Sequence, residues 1–275
     1  MEAHDASTLV EAVFGRIVAG DAPSGRAVVL GLSGLQGSGK STLAAGLAAH
    51  AQRLGWNALA ISLDDFYLTR TEREALARDV HPLLITRGVP GTHDLARLIG
   101  TLDALEHAGT DRPVRVPRFD KGVDDRAPTD RWSVVIHPPR LVILEGWCLG
   151  LAPQDDAALH TAVNALERDE DADGRWRRWV NERLADYAAV WRRLDALVVL
   201  RAPSWEIIPR WRDDAERPLR QRGEPRAMDH AALSRFLQHY ERWSRHALAT
   251  LGPHADLVVD LDAERGVTAL SGDRR

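Results

Sequence analysis

The chain has 275 residues, of which 44% are hydrophobic and 28% charged, and its formal net charge at pH 7 is −4. This balance predicts a folded globular protein, and the small acidic excess argues against nucleic acid as a partner. Cys148 is the only cysteine, which excludes an internal disulfide and a zinc site built from several cysteines. We find no apolar run long enough for a membrane span and no signal-peptide pattern, so we expect a cytoplasmic protein with no membrane partner.

Hydrophobic periodicity predicts helices and strands that alternate along the chain. Helices are expected over about 7–19, about 40–54, 71–79, 94–107, 176–193, about 204–222 and 229–250. Strands are expected over 28–32, 58–63, 114–117, 141–144, 195–200 and 257–260. The charged stretch 167–175 is predicted to be a solvated loop or a frayed helix end.

A phosphate-binding motif follows the first strand. Residues 34–41 fit the pattern G-x-x-x-x-G-K-[ST] between an apolar strand and an alanine-rich helix. Glycines in such a P-loop let backbone N–H groups converge on phosphate oxygens, while the lysine bridges the terminal phosphates and the final hydroxyl binds Mg²⁺. We therefore predict ATP and Mg²⁺ as cofactors, with Lys40 catalytic and the nucleotide bound by Gly34, Leu35, Gln36, Gly37, Ser38, Gly39, Lys40, Ser41 and Thr42.

The alternation of elements and the P-loop together predict the fold class. We expect an α/β fold of the P-loop NTPase type, a three-layer sandwich with a mainly parallel sheet and helices on both faces. With no internal repeat and no long linker, residues 1–275 are expected to form a single domain. Its predicted parts are an N-terminal helix at about 7–19, an acceptor-binding region at about 64–130 and a lid at about 201–226.

Acidic residues follow two of the predicted strands. Glu145 ends the run Leu-Val-Ile-Leu-Glu and is predicted to bind Mg²⁺ together with Ser41. Asp64 and Asp65 follow the second strand, at the same edge of a parallel sheet as the P-loop. We predict Asp64 as the catalytic base and a further metal ligand, with Asp65 as the alternative base. A helix N-cap is the competing interpretation of either residue.

Two polar loops and one helix are candidates for contacts with the second substrate. The loops at 87–94 and 117–128 are rich in donors and contain proline and glycine, which suits either a small hydroxylated anion or an ordinary surface loop. In the predicted lid, Arg212 is the candidate for stabilising charge in the transition state, and a solvated helix face is the alternative. The predicted substrate-binding residues are Asp65, Tyr67, Arg87, His93, Asp94, Lys121 and Arg126.

Several motifs together resemble a known family. Gly-Leu-Gln-Gly-Ser-Gly-Lys-Ser, Ser-Leu-Asp-Asp-Phe-Tyr-Leu-Thr, Arg-Gly-Val-Pro-Gly-Thr-His-Asp, Arg-Phe-Asp-Lys-Gly and Ile-Leu-Glu-Gly-Trp-Cys occur in order over residues 31–150. This set resembles the D-glycerate 3-kinase family, within the P-loop group that includes uridine kinase, phosphoribulokinase and pantothenate kinase. The family usually has glutamine where this chain has Ala215.

The resemblance implies ATP-dependent phosphorylation of D-glycerate at its 3-hydroxyl. It also implies that Asp64 is the base and that Asp94, Lys121 and Arg126 line the acceptor pocket. A kinase for another small metabolite, such as a nucleoside, pantothenate or a sugar phosphate, is the nearest alternative, and a nucleotide-binding regulator is the alternative from another class. The sequence does not indicate the oligomeric state.

Overall fold

The structure is a computed structural model that describes residues 3–18, 26–224 and 227–272. Its strands are β1 (Val28–Gly34), β2 (Ala58–Ser62), β3 (Val114–Val116), β4 (Phe119–Asp120), β5 (Asp125–Arg126), β6 (Ser133–Val135), β7 (Leu141–Gly146), β8 (Ala196–Arg201), β9 (Leu257–Leu261) and β10 (Val267–Ser271). Its α-helices are α1 (Ala3–Val13), α2 (Lys40–Arg53), α3 (Arg70–Asp79), α4 (Leu95–Leu105), α5 (Ala165–Glu170), α6 (Arg175–Leu184), α7 (Ala188–Trp191), α8 (Ile208–Gln221) and α9 (His230–Thr250). A π-helical turn, Phe14–Val18, continues α1; residue 19 of the predicted first helix and residues 225–226 of the predicted lid lie outside the described residues.

A six-stranded sheet in the order β10-β9-β8-β1-β7-β2 forms the centre of the protein. All of its neighbouring strands are parallel except β10, which runs antiparallel to β9. Every residue of β1 and of β7 is buried, so both faces of the sheet are covered at its centre. The predicted α/β fold with a mainly parallel sheet is confirmed.

Helix α2 covers one face of the sheet beside the P-loop. Its buried residues Leu43, Leu47 and Ala51 recur every four positions and so share one face of the helix, which contacts β1, β2 and β7. Helix α1 packs on the outside of α2, where a Cβ atom added to Gly46 would lie 2.8 Å from Val10. Helix α2 is thus packed between the sheet and α1. None of the helices in the described residues is long and apolar enough to span a membrane.

Two predicted elements differ in the structure, and one strand of the central sheet was not predicted. The strand predicted at 114–117 exists as β3, but it pairs with β6 in a separate antiparallel ribbon instead of joining the central sheet. The helix predicted over 176–193 is interrupted by a 3-10 turn, Ala185–Tyr187. Strand β10 was not predicted, because Val267–Ser271 is a short, partly exposed edge strand without the continuous apolar run of the central strands.

The prediction of a solvated charged stretch at 167–175 is wrong for its two most buried acids. Glu167 and Asp171 are 0% and 1% exposed. Arg242 of α9 donates to both carboxylate oxygens of Glu167, at 2.7 and 2.6 Å, and Arg177 of α6 donates to Asp171 at 3.0 Å. Buried charges are tolerated when they are paired and hydrogen-bonded in this way, and sequence spacing alone did not reveal the two partners.

Candidate active site

A cavity of about 860 Å³ lies at the carboxyl ends of the parallel strands. Glu145 of β7 is level with Leu32 of β1 and with Ser62 of β2, so the P-loop, Glu145 and the turn after β2 open onto the same edge of the sheet. Helices α8 and α9 form the opposite wall. The predicted site residues in its lining are Gln36, Gly37, Gly39, Lys40, Ser41, Thr42, Asp64, Tyr67, Arg87, Lys121, Glu145 and Arg212.

The P-loop has the conformation that a phosphate cradle requires. Gly37 and Gly39 have φ values of +82° and +90°, in the left-handed region that favours glycine. Gly39 precedes α2, whose first residues line the cavity, and no described side chain caps the helix there, so its first backbone N–H groups are available to a ligand. At Gly34 a Cβ atom would lie 2.6 Å from Ser38 Oγ, which explains glycine at the start of the loop.

Ser41, Lys40 and Glu145 converge where the phosphates of a nucleotide would lie. Ser41 Oγ donates to Glu145 Oε1 at 2.9 Å, and Lys40 Nζ is 4.0 Å from Glu145 Oε2. Within the described residues, Glu145 Oε2 and Ser38 Oγ are buried without a hydrogen-bond partner. Buried polar atoms are normally bonded, so these free oxygens fit a site that a divalent cation and phosphate would complete. Ser41 and Glu145, two of the three predicted ligands, could therefore hold Mg²⁺; Asp64, the third, lines the same cavity and stays a prediction.

Asp64 faces the same cavity from the turn after β2. Ser62 Oγ accepts from the backbone N–H of Asp64 at 3.3 Å and so begins the 3-10 turn Leu63–Phe66. Tyr67 Oη donates to Asp64 Oδ1 and Lys121 Nζ donates to Asp64 Oδ2, each at 2.6 Å. Burial alone would raise the pKa of Asp64, but the charges of Lys121 and Lys40 and these two hydrogen bonds lower it well below its usual range. Asp64 is thus an ionised carboxylate at neutral pH.

Aromatic side chains hold Arg87 at the cavity wall. Tyr240 Oη donates to the backbone oxygen of Arg87 at 2.7 Å, and Trp147 Nε1 donates to that of Gly88 at 2.9 Å. The Arg87 guanidinium carbon lies 5.6 Å from the ring centroid of Phe119. Arg87 also donates to Asp124, so its charge is paired while its side chain still lines the cavity.

Asp65, the alternative base, lies among internal partners and does not contribute to the described cavity lining. Its carboxylate accepts from Arg118 Nη1 at 2.9 Å and from the backbone N–H of Phe119 at 3.1 Å. Burial raises the pKa of Asp65, and the charge of Asp64 adds to that effect. These contacts tie the turn after β2 to β4.

His93 and Asp94 support the cavity from behind its described lining. His93 Nδ1 is 2.6 Å from Tyr187 Oη, and its ring packs on Tyr67 with centroids 4.8 Å apart. Burial lowers the pKa of His93 to about 4, so the ring is neutral at pH 7. Asp94 caps α4 by accepting from the backbone N–H of Arg97, and its other oxygen accepts from Arg126 Nη2 at 3.1 Å.

Arg212 lines the cavity from α8 and is not a solvated surface arginine. Its Nη2 donates to Glu216 Oε1 at 2.5 Å, and Glu216 is only 4% exposed. Glu216 also accepts from the backbone N–H of Met228 at 3.3 Å, which links α8 to the segment before α9.

The cavity-wall residues that sequence reasoning missed include Trp147, Tyr240 and Arg265. Trp147 is two residues after Glu145, and its proximity to that strand end was an available signal. Tyr240 and Arg265 reach the cavity only through the packing of α9 and of the β9–β10 hairpin. No local pattern marks either of them.

Gly88→Ala should loosen the support of Arg87. Gly88 has a φ of +111°, and an added Cβ atom would lie 1.9 Å from Tyr240 Oη, on a buried ring that cannot move aside. Because the backbone is also unfavourable for alanine, we expect a loss of roughly 1–3 kcal/mol in the free energy of unfolding and a raised KM for the acceptor. Urea unfolding and steady-state kinetics measure both effects.

The matched control is Gly100→Ala in α4, where an added Cβ atom meets nothing within 4 Å. A helical alanine should be neutral or stabilise by about 0.5–1 kcal/mol. Equal unfolding free energies for the two variants would contradict the role given to Gly88.

Comparison with known proteins supplies the wider context. No family model matches the chain. A Schizosaccharomyces pombe protein named "Uncharacterized kinase mug58" is 36% identical over 257 residues, which are 88% of this chain and 91% of that protein. The chloroplastic D-glycerate 3-kinase of Arabidopsis thaliana is 33% identical over 254 residues, and the match spans about half (53%) of its length. The solved structure of D-glycerate 3-kinase from Cryptococcus neoformans has the same fold, with a TM-score of 0.75, 22% identity and 98% of each chain covered.

The fold, the P-loop and these relatives define a P-loop kinase, a phosphotransferase whose acceptor is an alcohol group. The predicted P-loop NTPase-type fold is thereby confirmed. The chain belongs to the glycerate 3-kinase-like family of P-loop kinases, as its motifs predicted.

Proposed function

We propose that this protein transfers the γ-phosphate of ATP to the 3-hydroxyl of D-glycerate, with Mg²⁺ as the metal. The observation that carries the proposal is that a single cavity brings the phosphate cradle together with Asp64, Lys121 and Arg87. D-glycerate is the substrate named for the Arabidopsis and Cryptococcus relatives. It is a small anion with hydroxyl groups, which suits a site with one acid and two cations.

On the nucleotide side, the P-loop backbone and Lys40 would bind the phosphates of ATP. Ser41 and Glu145 would hold Mg²⁺, and bound Mg²⁺ supplies neutralisation of the phosphate charge. Arg212 is placed on the opposite wall, where Glu216 fixes its guanidinium. From α8, Arg212 would add positive charge to stabilise the phosphate during transfer.

On the acceptor side, Asp64 is the proposed base. Its carboxylate lines the cavity, whereas that of Asp65 is held by Arg118, and this difference supports Asp64 over its neighbour. A glycerate carboxylate would compete with Asp64 for the ammonium of Lys121, which is 59% exposed and therefore free to reorient. Arg87 would be the second cation for that carboxylate. Asp64 would then accept the proton of the 3-hydroxyl as it attacks the phosphorus.

The remaining predicted acceptor residues have a supporting place in this proposal. His93 packs on Tyr67, and Arg126 donates to the backbone oxygen of Tyr67 at 3.3 Å. Because Tyr67 donates to Asp64, these contacts fix the orientation of the proposed base. Contact with glycerate itself is proposed for Lys121 and Arg87.

An ADP-release assay with Mg-ATP and a panel of acceptors tests the proposal. The panel contains D-glycerate, L-glycerate, uridine, pantothenate and ribulose 5-phosphate. We expect turnover with D-glycerate, and phosphorus NMR of the product should show a 3-phosphate ester. Turnover of another member of the panel alone would show that the protein is a kinase but that D-glycerate is not its acceptor. Binding of nucleotide without turnover of any acceptor would favour the regulator.

Lys121→Met should raise the KM for D-glycerate more than the KM for ATP. A hydrogen bond to a charged group is worth about 1.5–3 kcal/mol, which corresponds to roughly 10- to 150-fold in affinity. Removing Lys121 also removes the strongest influence that lowers the pKa of Asp64, so the acid limb of the kcat/KM profile should move to higher pH. Initial rates over both substrates and over pH measure the two effects.

Arg131→Met is the matched control for Lys121→Met. Arg131 is an exposed cation near the same hairpin, 3.6 Å from Asp120, and lies outside the described cavity lining. Both KM values should stay near those of the wild type. A larger increase in the KM for ATP than in that for glycerate in Lys121→Met would move Lys121 to the nucleotide side.

A further inference from the structure

The turn between β9 and β10, residues 262–266, is held rigidly next to the P-loop. We call it the carboxyl-terminal turn. Asp262 closes it, because its Oδ1 accepts from the backbone N–H groups of Glu264 at 2.9 Å and Gly266 at 2.7 Å. The backbone N–H of Arg265 donates to the backbone oxygen of Asp262 at 3.1 Å. Arg265 has a φ of +69°, which is uncommon for a residue with a side chain and is maintained here by the closed turn.

The Arg265 side chain joins three parts of the protein that are distant in sequence. Its Nε donates to the backbone oxygen of Gly37 at the apex of the P-loop, at 2.8 Å. Its Nη2 donates to the backbone oxygen of Trp211 at 3.2 Å and lies 3.1 Å from Asp214 Oδ2, both on α8. Gly37 itself packs against α8, since an added Cβ atom would lie 2.7 Å from Trp211 Cβ. Arg265 is thus bonded to the P-loop and to the helix that carries Arg212.

The contact with Gly37 determines how the apex peptide of the P-loop is oriented. The oxygen of the Gly37–Ser38 peptide accepts from Arg265, and its N–H donates to the Leu35 oxygen at 3.1 Å. Glycine at a φ of +82° could rotate this peptide at little cost, because no Cβ atom opposes the change. Arg265 therefore supplies one of the two bonds that prevent a peptide flip in the loop that must present N–H groups to phosphate.

We propose that Arg265 is a positioning residue for nucleotide binding, which acts by fixing the Gly37 carbonyl and by locking the P-loop to α8. Removal of Arg265 should weaken nucleotide binding and lower kcat through the displaced α8. It should leave the KM for the acceptor near its wild-type value. The acceptor side of the cavity is formed by the turn after β2 and the 87–94 loop, whereas the bonds of Arg265 go to the P-loop and α8. The proposal concerns the nucleotide side and is independent of which acceptor the enzyme uses.

Calorimetric titration with Mg-ADP tests the proposal without any acceptor. We expect the Kd of Arg265→Gln to rise roughly 10- to 150-fold, the range for a lost charged donor. Arg210→Gln is the matched control, because Arg210 Nη2 donates to Glu264 Oε1 at 2.9 Å and joins the same turn to α8 without contacting the P-loop. Its Kd for Mg-ADP should equal that of the wild type.

Two further measurements separate positioning from a purely structural role. Arg265→Lys keeps the positive charge but replaces the two separate donor atoms, Nε and Nη2, by a single nitrogen, so its Kd for Mg-ADP should also rise. This variant serves if Arg265→Gln does not fold. All titrations are made well below the thermal midpoint of the least stable variant. A lowered midpoint with an unchanged Kd for Mg-ADP in the folded Arg265 variants would overturn the proposal. An equal rise in the Kd of Arg210→Gln would overturn it too.

Discussion

Asp64→Asn should lower kcat with D-glycerate by roughly 10²- to 10⁴-fold, the usual contribution of a positioned general base. An amide keeps the shape of the side chain and can still accept from Tyr67 or Lys121, but it cannot take the proton of the attacking hydroxyl. The Kd for Mg-ADP should change little, because the proposed function assigns the phosphate contacts to Lys40 and the P-loop backbone. Steady-state kinetics with D-glycerate and titration with Mg-ADP make the comparison.

The neighbouring acid provides the control for this experiment. Asp65→Asn removes the ion pair with Arg118 and should lower the free energy of unfolding. Its effect on kcat should be much smaller than that of Asp64→Asn. Tyr67→Phe removes one hydrogen bond to Asp64 and should reduce kcat far less than Asp64→Asn. Full activity of Asp64→Asn together with an inactive, stably folded Asp65→Asn would reverse the assignment of the base.

Glu167→Gln should destabilise the protein by about 3–5 kcal/mol, the cost of breaking a buried ion pair by removing one partner. In this variant the guanidinium of Arg242 stays buried and loses the negative charge of Glu167. It keeps the backbone oxygens of Ala158 and Thr161 as partners, at 2.7 and 2.6 Å. Because α5 and α9 are joined through this pair, loss of stability should be global. Urea unfolding followed by circular dichroism gives the free energy.

Glu170→Gln, three residues further along the same helix, is the matched control. Glu170 pairs with Arg235 on the surface, with its side chain 42% exposed. Exposed pairs contribute little in water, so the change should be under about 1 kcal/mol. Similar losses of unfolding free energy in the two variants would show that the buried Glu167–Arg242 pair stabilises the fold no more than the exposed pair does.

The phosphate machinery could be predicted from the sequence because each part of it is local. The P-loop is a contiguous motif between a strand and a helix, and glycine spacing alone specifies its turns. Glu145 and Asp64 were found at strand ends, and the rule that parallel strands end at one edge of a sheet placed them beside the P-loop. Lys121, which pairs with Asp64, and Arg87 both line the cavity, and their contact with a substrate stays a prediction.

The sequence favoured Asp64 over Asp65 as the first residue past the strand, but it could not show which of the two carboxylates faces the cavity. Asp64 and Asp65 are neighbours in a short 3-10 turn and so point in different directions, one to the cavity and one to Arg118. Arg118, which binds the carboxylate of Asp65, lies just before β4 and 53 residues further along the chain than Asp65. Asp94 is likewise a helix cap paired with Arg126, a role that its spacing in the 87–94 segment could not reveal.

The amino-acid sequence by itself determined the phosphate cradle, the parallel sheet and the acids at its edge, because backbone geometry and hydrophobic periodicity act over a few residues. Only the tertiary structure decided the partners of those charged side chains that pair over long distances in the sequence. Arg265 bonds Gly37 across 228 residues, and Arg242 neutralises Glu167 across 75 residues. The physical reason is that an ion pair or a hydrogen bond depends on the distance between its two groups in space. A pair between residues far apart in the chain produces no periodic pattern in the sequence.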